Sequence, residues 1–272
     1  MMGQNLIHLT VNGIEMRVFV EGSGSPLLLV HGFPLNHRMW QSQIEYFKNE
    51  FTVIAPDLRG FGATEITRGT VTMKQHAEDL NMLLNELNLE ERVLFCGLSM
   101  GGYIAWEFWK HFPERLRALI LCDTRATSDT EEGINNRLKM VDLVLKHGPE
   151  SISSSMIPNL ISEASQRNHP DIAKNMIQMI ESTDREGIAA SQRGMAERED
   201  YSSEIGGIQV PTLCIVGSED QLTPPEVMKN MSTQIPNSKY TEIPGVGHMA
   251  PMEAPAEVNQ EIHQFLMSCD QS

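Results

Sequence analysis

Short continuous apolar runs, each delivered into a glycine-bearing loop, constrain this chain more than any other feature. Pro26-Leu-Leu-Leu-Val30 ends at His31-Gly32, residues 92–96 end at Gly97, and residues 212–216 end at Gly217. Residues 240–243 reach Gly245 through Pro244. The first three, short and without polar alternation, have no solvent face and read as strands buried on both sides, while residues 240–243, with Thr241 and Glu242, read simply as a strand. Residues 51–55 and 118–121 add two more, and residues 7–11 and 16–20 flank Asn12-Gly13, a pair suited to a tight hairpin turn. Helical spacing over residues 39–48, 72–87, 103–111, 226–234 and 254–267 fills the intervals. Strands and helices in alternation predict an α/β fold: a mostly parallel sheet of about eight strands, with helices on both faces.

The alternation stops between residues 124 and 207, where only helix-like stretches such as 134–146 and 172–180 occur. Gly148-Pro149, Pro158 and Pro170 punctuate that block. The reading is a core of residues 1–123 and 208–272, with residues 124–207 inserted as a helical cap. No internal repeat or low-complexity tract is present.

A net charge of -15 argues against nucleic acid and anionic membrane surfaces as partners, since both require clustered Lys and Arg. No window approaches the roughly 20 apolar residues of a membrane span, and residues 1–13 do not read as a signal peptide. Cys96, Cys122 and Cys214 fall in buried strand runs and Cys269 in the tail, without metal or redox spacing. A cytoplasmic protein with reduced thiols is the expectation. Oligomeric state is not legible.

Gly97-Leu-Ser99-Met-Gly101 fits Gly-x-Ser-x-Gly with a strand before it and a helix after it. A serine hydroxyl is a weak nucleophile and needs an exposed, strained turn where a base can take its proton. The helix that follows aims unpaired N–H groups at developing negative charge. An acyl-transfer site needs a second N–H donor from an early loop. His31-Gly-Phe33-Pro34 follows its strand directly, so the expected oxyanion donors are Phe33 and Met100. His31 reads better as a brace for that loop than as a proton carrier.

Asp220 and His248 each lie just past the carboxyl end of a late strand, on the sheet edge that carries Ser99. Ser99 as nucleophile, Asp220 as orienting acid and His248 as base follow in that chain order. Glu219 and Asp123 are rival positions for the acid. His248 is the one histidine on a glycine-flanked loop after a late strand. No cluster has metal-ligand spacing and no phosphate loop occurs, so neither metal nor cofactor is expected.

The chain resembles the α/β-hydrolase superfamily over about residues 7–266. The motifs that carry this are His31-Gly-Phe-Pro-Leu35, Asp57-Leu-Arg-Gly-Phe-Gly62, Gly97-Leu-Ser-Met-Gly-Gly102, Gly217-Ser-Glu-Asp220 and Gly247-His-Met-Ala-Pro251. More narrowly it resembles 3-oxoadipate enol-lactonases, small carboxylesterases and cofactor-free haloperoxidases. The resemblance implies an α/β-hydrolase fold and the same nucleophile, acid, base and oxyanion donors. Haloalkane and epoxide hydrolases of the superfamily carry Asp where this chain has Ser99, so the resemblance does not extend to those reactions. Pro34 resembles the perhydrolase side of the group.

Asp57 reads as the pin of its own turn or, less readily, as lining of a site entrance. Cap methionines Met140, Met156, Met176, Met179 and Met195 suit core packing or an acyl pocket. Arg125, Arg137, Arg185, Arg193 and Arg198 suit ion pairs or contact with a substrate carboxylate. The expected reaction is hydrolysis of a small or medium carboxylic ester through an acyl-serine intermediate. Lactonase, perhydrolase and non-enzymatic ligand receptor stand as alternatives.

Overall fold

The computed structural model describes residues 6–269; the part of the N-terminal reading that covers residues 1–5 lies outside it. The strands are β1 (Leu6–Val11), β2 (Ile14–Glu21), β3 (Pro26–Val30), β4 (Thr52–Pro56), β5 (Val93–Leu98), β6 (Leu116–Cys122), β7 (Thr212–Gly217) and β8 (Ser238–Ile243). Flanking helices are α1 (Gln41–Phe47), α2 (Met73–Glu86) and α3 (Met100–His111). Between β6 and β7 stand α4 (Glu131–His147), α5 (Glu150–Leu160), α6 (Glu163–Asn168), α7 (Pro170–Glu181) and α8 (Arg185–Ala196). After β7 come α9 (Pro225–Gln234), α10 (Ala250–Glu253) and α11 (Pro255–Cys269).

One sheet runs in the order β1-β2-β4-β3-β5-β6-β7-β8. The first two strands pair antiparallel around Asn12-Gly13, β2 pairs antiparallel with β4, and every other pairing is parallel. The chain leaves β3 toward β4 and then returns to the other side of β3 to form β5. Loops after β3 and β5 therefore diverge, and the crevice between them is where an open parallel sheet receives a ligand. Phe33 and Ser99 lie on those two loops.

Alternation along the central strands divides the core. Leu27 and Leu29 of β3 face one cluster with α1 and α11, while Leu28 and Val30 face the other with α2 and α3. Both clusters are dry: Leu27, Leu28, Val30 and Phe95 are fully buried.

The helices between β6 and β7 contain no strand. α4 packs lengthwise on α8, and α8 is stitched to the core where the Val71 N–H donates to the Ala190 carbonyl at 3.1 Å. Asp129 holds this roof together by accepting from both Arg137 and Arg198. Burial opposes charge on Asp129, but the two guanidinium hydrogen bonds outweigh it and hold its carboxyl down to about 2. Pro158, read from sequence as punctuation, lies inside α5. Its missing N–H breaks one rung of the helix ladder, and the surrounding Ile157 and Leu160 are buried deeply enough to retain the turn.

Candidate active site

Ser99 stands between β5 and α3 with φ 53° and ψ −108°, a backbone region that ordinary side chains avoid. Four hydrogen bonds enforce it. Its N–H donates to the Cys122 carbonyl at 2.9 Å, and its own carbonyl accepts from Gly102, Tyr103 and the Thr124 hydroxyl. Gly97 is obligatory for this turn: a Cβ there would meet the Gly101 backbone at 2.5 Å. Met100 opens α3, where the helix ladder supplies no carbonyl for its N–H.

The β3 loop is rigid for separate reasons. His31 is fully buried; its Nε2 accepts the Leu58 N–H at 3.0 Å, which leaves Nδ1 as the protonated nitrogen, donating to the Gly32 carbonyl at 3.0 Å. Burial lowers its pKa to about 4, so it stays neutral and braces the loop. The Leu35 N–H closes the turn onto Gly32, and the Phe33 ring meets Phe61 edge-on. Asp57 pins the next loop by accepting from Arg17, His37 and the Ala63 N–H.

His248 Nδ1 lies 2.8 Å from Asp220 Oδ2, and both side chains are buried. The other Asp220 oxygen accepts from the Leu222 and Thr223 N–H groups at 2.8 and 2.9 Å, which fixes the carboxylate plane. His248 is thereby held by one ring nitrogen, with Nε2 left for the cavity. Neither rival acid takes this place. Glu219 is exposed, and Asp123 turns one oxygen to the Gly217 N–H at 2.8 Å while the other has no partner among the described residues. Burial, with the neighbouring Asp220 charge, raises the Asp123 pKa well above the ordinary range.

Ser99, His248 and Phe33 line one cavity of about 240 Å³. Tyr103, one helical turn past Ser99, forms part of its wall, and Gln192 of α8 another part. Spacing from Ser99 is a signal that could have found Tyr103; nothing local marks Gln192, which arrives from the far end of the helical block. The methionines divide: Met140, Met156 and Met195 line the cavity, while Met176 and Met179 are core. The arginines divide as well. Arg185 and Arg193 donate to the carbonyls of Leu145 and Gly69, whereas Arg125 and Arg137 reach the cavity wall. Among the described residues no Asp or Glu lines that cavity. Arg137 shares Asp129 with Arg198, and Arg125 donates only to the Leu222 carbonyl, its buried Nε having no partner among the described residues. A larger polar groove of about 590 Å³ lies alongside, with Asn159 common to both.

Among the described residues no cluster of metal-ligating side chains occurs and no helix is long and apolar enough to cross a membrane.

A family model described as the alpha/beta hydrolase fold matches residues 25–255. An esterase from Thermogutta terrifontis, solved with malate bound, is 43% identical, with a TM-score of 0.94 over 97% of this chain and 98% of its own. The 3-oxoadipate enol-lactonase 1 of Acinetobacter baylyi is 28% identical over 233 residues, covering 86% of this chain and 85% of its own. A bromoperoxidase from Bacillus anthracis shares the fold at 21% identity, with a TM-score of 0.85 over 97% of this chain and all of its own.

Proposed function

The chain belongs to the alpha/beta hydrolase fold family, and from that premise we propose that it hydrolyses small or medium carboxylic esters through an acyl-Ser99 intermediate. The observation that carries this reading is the His248–Asp220 pair at 2.8 Å, which faces the strained Ser99 across a shared cavity. Similarity to the Thermogutta terrifontis esterase supports it independently. Residues 1–123 and 208–272 serve as the catalytic core and residues 124–207 as the cap that roofs it.

Ser99 Oγ attacks the ester carbonyl as His248 Nε2 takes its proton. Charge developing on the carbonyl oxygen is met by the N–H groups of Phe33 and Met100. Asp220 keeps the proton of the ring on Nδ1 and stabilises the imidazolium. Collapse expels the alcohol, which leaves with the proton held by His248. Water then repeats the sequence on the acyl-enzyme, restoring Ser99 and releasing the acid. These steps require neither metal nor cofactor.

Ser99→Ala is expected to lower kcat on a short-chain nitrophenyl ester by at least about 10⁴-fold, with unchanged thermal unfolding. Full activity in that variant would refute the reading.

The acid-free cavity wall with Arg125 and Arg137 favours a second reading, an enol-lactonase-like hydrolysis of a carboxylate-bearing lactone or ester. The chemistry at Ser99 is the same; the substrate differs by one anionic group.

A further inference from the structure

The loop that bears His248 is not held by its own turn alone. Glu253, buried at the end of α10, accepts the Gly247 N–H at 2.9 Å and the Met249 N–H at 3.2 Å on Oε1. These are the two residues flanking His248. Its second oxygen, Oε2, accepts the Ser162 N–H at 2.9 Å, from the junction of α5 and α6 in the helical block. The two segments also touch directly, since a Cβ on Gly247 would lie 2.9 Å from the Ser162 nitrogen and 3.1 Å from the Ile161 carbonyl carbon.

We propose that Glu253 is a positioning residue that locks the His248 loop to the α5–α6 junction, so that the base is aligned only while the roof is seated. The inference rests on the reading of His248 as the base. Its chemistry depends on a group with two acceptor oxygens. Three backbone N–H groups converge on the side chain from two segments far apart in the chain, and each oxygen is needed. A glutamine has one acceptor oxygen and an NH2 that repels N–H donors. Whichever way it turns, either Ser162 or the pair flanking His248 loses its partner. A buried N–H left without a partner carries its full desolvation penalty, which favours release of one segment from the other while the sheet stays folded.

Misplacing a reacting group by about 1 Å costs on the order of 100-fold in rate. Glu253→Gln is therefore expected to lower kcat about tenfold or more per competent serine, counted by titration with a fluorophosphonate, while KM for a short nitrophenyl ester changes less than about twofold. Glu253→Asp keeps both acceptors on a shorter arm and should recover part of that loss. Unchanged kcat per titrated site in Glu253→Gln would overturn the proposal, whatever the melting temperature does, because a purely structural role removes folded protein and not rate. A second measurement does not depend on turnover: the ring resonance of His248, assigned with His248→Gln, should shift or broaden in Glu253→Gln, and an unmoved resonance would also overturn the proposal. If the wild-type chain neither reacts with the fluorophosphonate nor turns over esters, the reading of function fails, and the resonance still decides whether Glu253 places His248.

Discussion

Arg125 is the residue through which the proposed anion preference is most directly tested. Its Nε is buried without a partner among the described residues, and no described carboxylate lines the cavity. A substrate carboxylate placed there gains a charge-assisted hydrogen bond, worth roughly 1.5–3 kcal/mol. Arg125→Met should therefore reduce kcat/KM for a half-ester such as methyl hydrogen succinate by about tenfold or more. Hydrolysis of a neutral ester of the same length should change little; equal loss on both would mean that the arginine only supports the loop. Ser99, His248 and Asp220 were legible from sequence because each sits at a strand end followed by glycine or a turn, and their geometry is local. Arg125 was legible only as one of five arginines singled out in the 124–207 block, since which of them meets Asp129, a carbonyl or open cavity depends on distant packing. Glu253 went unremarked altogether: five residues past His248, it looks like an ordinary acidic residue at a helix start, and its third partner lies 91 positions away.

Among the elements, α8 was the least legible. Gly187, Gly194 and a polar, small-residue composition leave it few apolar residues, and it meets the core through backbone as well as through Ile188 and Met195. Gly194 makes this testable. In an isolated helix, Gly→Ala gains about 1 kcal/mol. Here the new Cβ would stand 1.8 Å from the Val71 carbonyl oxygen, a distance that forces the two backbones apart. Overpacking of this kind costs about 1–3 kcal/mol or more, so packing outweighs propensity. Gly194→Ala should lower the melting temperature by several degrees; a rise would show that α8 adapts to its seat. The central strands β3 to β7 were legible to within two residues at each end, since burial on both faces leaves only one kind of sequence that fits. The outer strands β1 and β8 keep exposed positions, and burial bounds them less sharply. Helix ends were less legible: α3 begins at Met100, ahead of the 103–111 window of helical spacing, because the tight turn at Ser99 sets its start and not apolar periodicity.

For the whole molecule, buried groups answer acid in opposite directions: His31 and His76 cost stability as pH falls, while Asp123, raised by burial, returns some. Burial lowers His31 to about 4 and His76 to about 3, from an ordinary 6.5. The unfolded chain takes up both protons below about pH 6.5, and the folded chain refuses them until near pH 4. Stability present above pH 6.5 is thus lost as pH falls, with a slope approaching about 2.7 kcal/mol per pH unit from these two groups. Asp129 adds its own loss only at lower pH, between its ordinary range and about 2. Urea unfolding at pH 7, 6 and 5 measures the net slope, which Asp123 reduces, and His76→Leu should lower it by about 1.4 kcal/mol per pH unit. An unchanged slope would assign the acid sensitivity elsewhere.

On the proposed function, each turnover would end with a carboxylic acid, ionised at neutral pH, left beside Arg125 and Arg137. Guanidiniums that helped admit an anion would then detain one. Across the surface the balance is opposite: a net charge of -15 sets up a field that drives an anion outward once it clears the roof. Departure of the acid is consequently a contest between a short-range grip and a long-range push. The push is screened over roughly 10 Å at 0.1 M salt, while the grip, being partly buried, is not. The same two arginines that would select a substrate would therefore make the enzyme subject to inhibition by its own product, and more so as ionic strength rises.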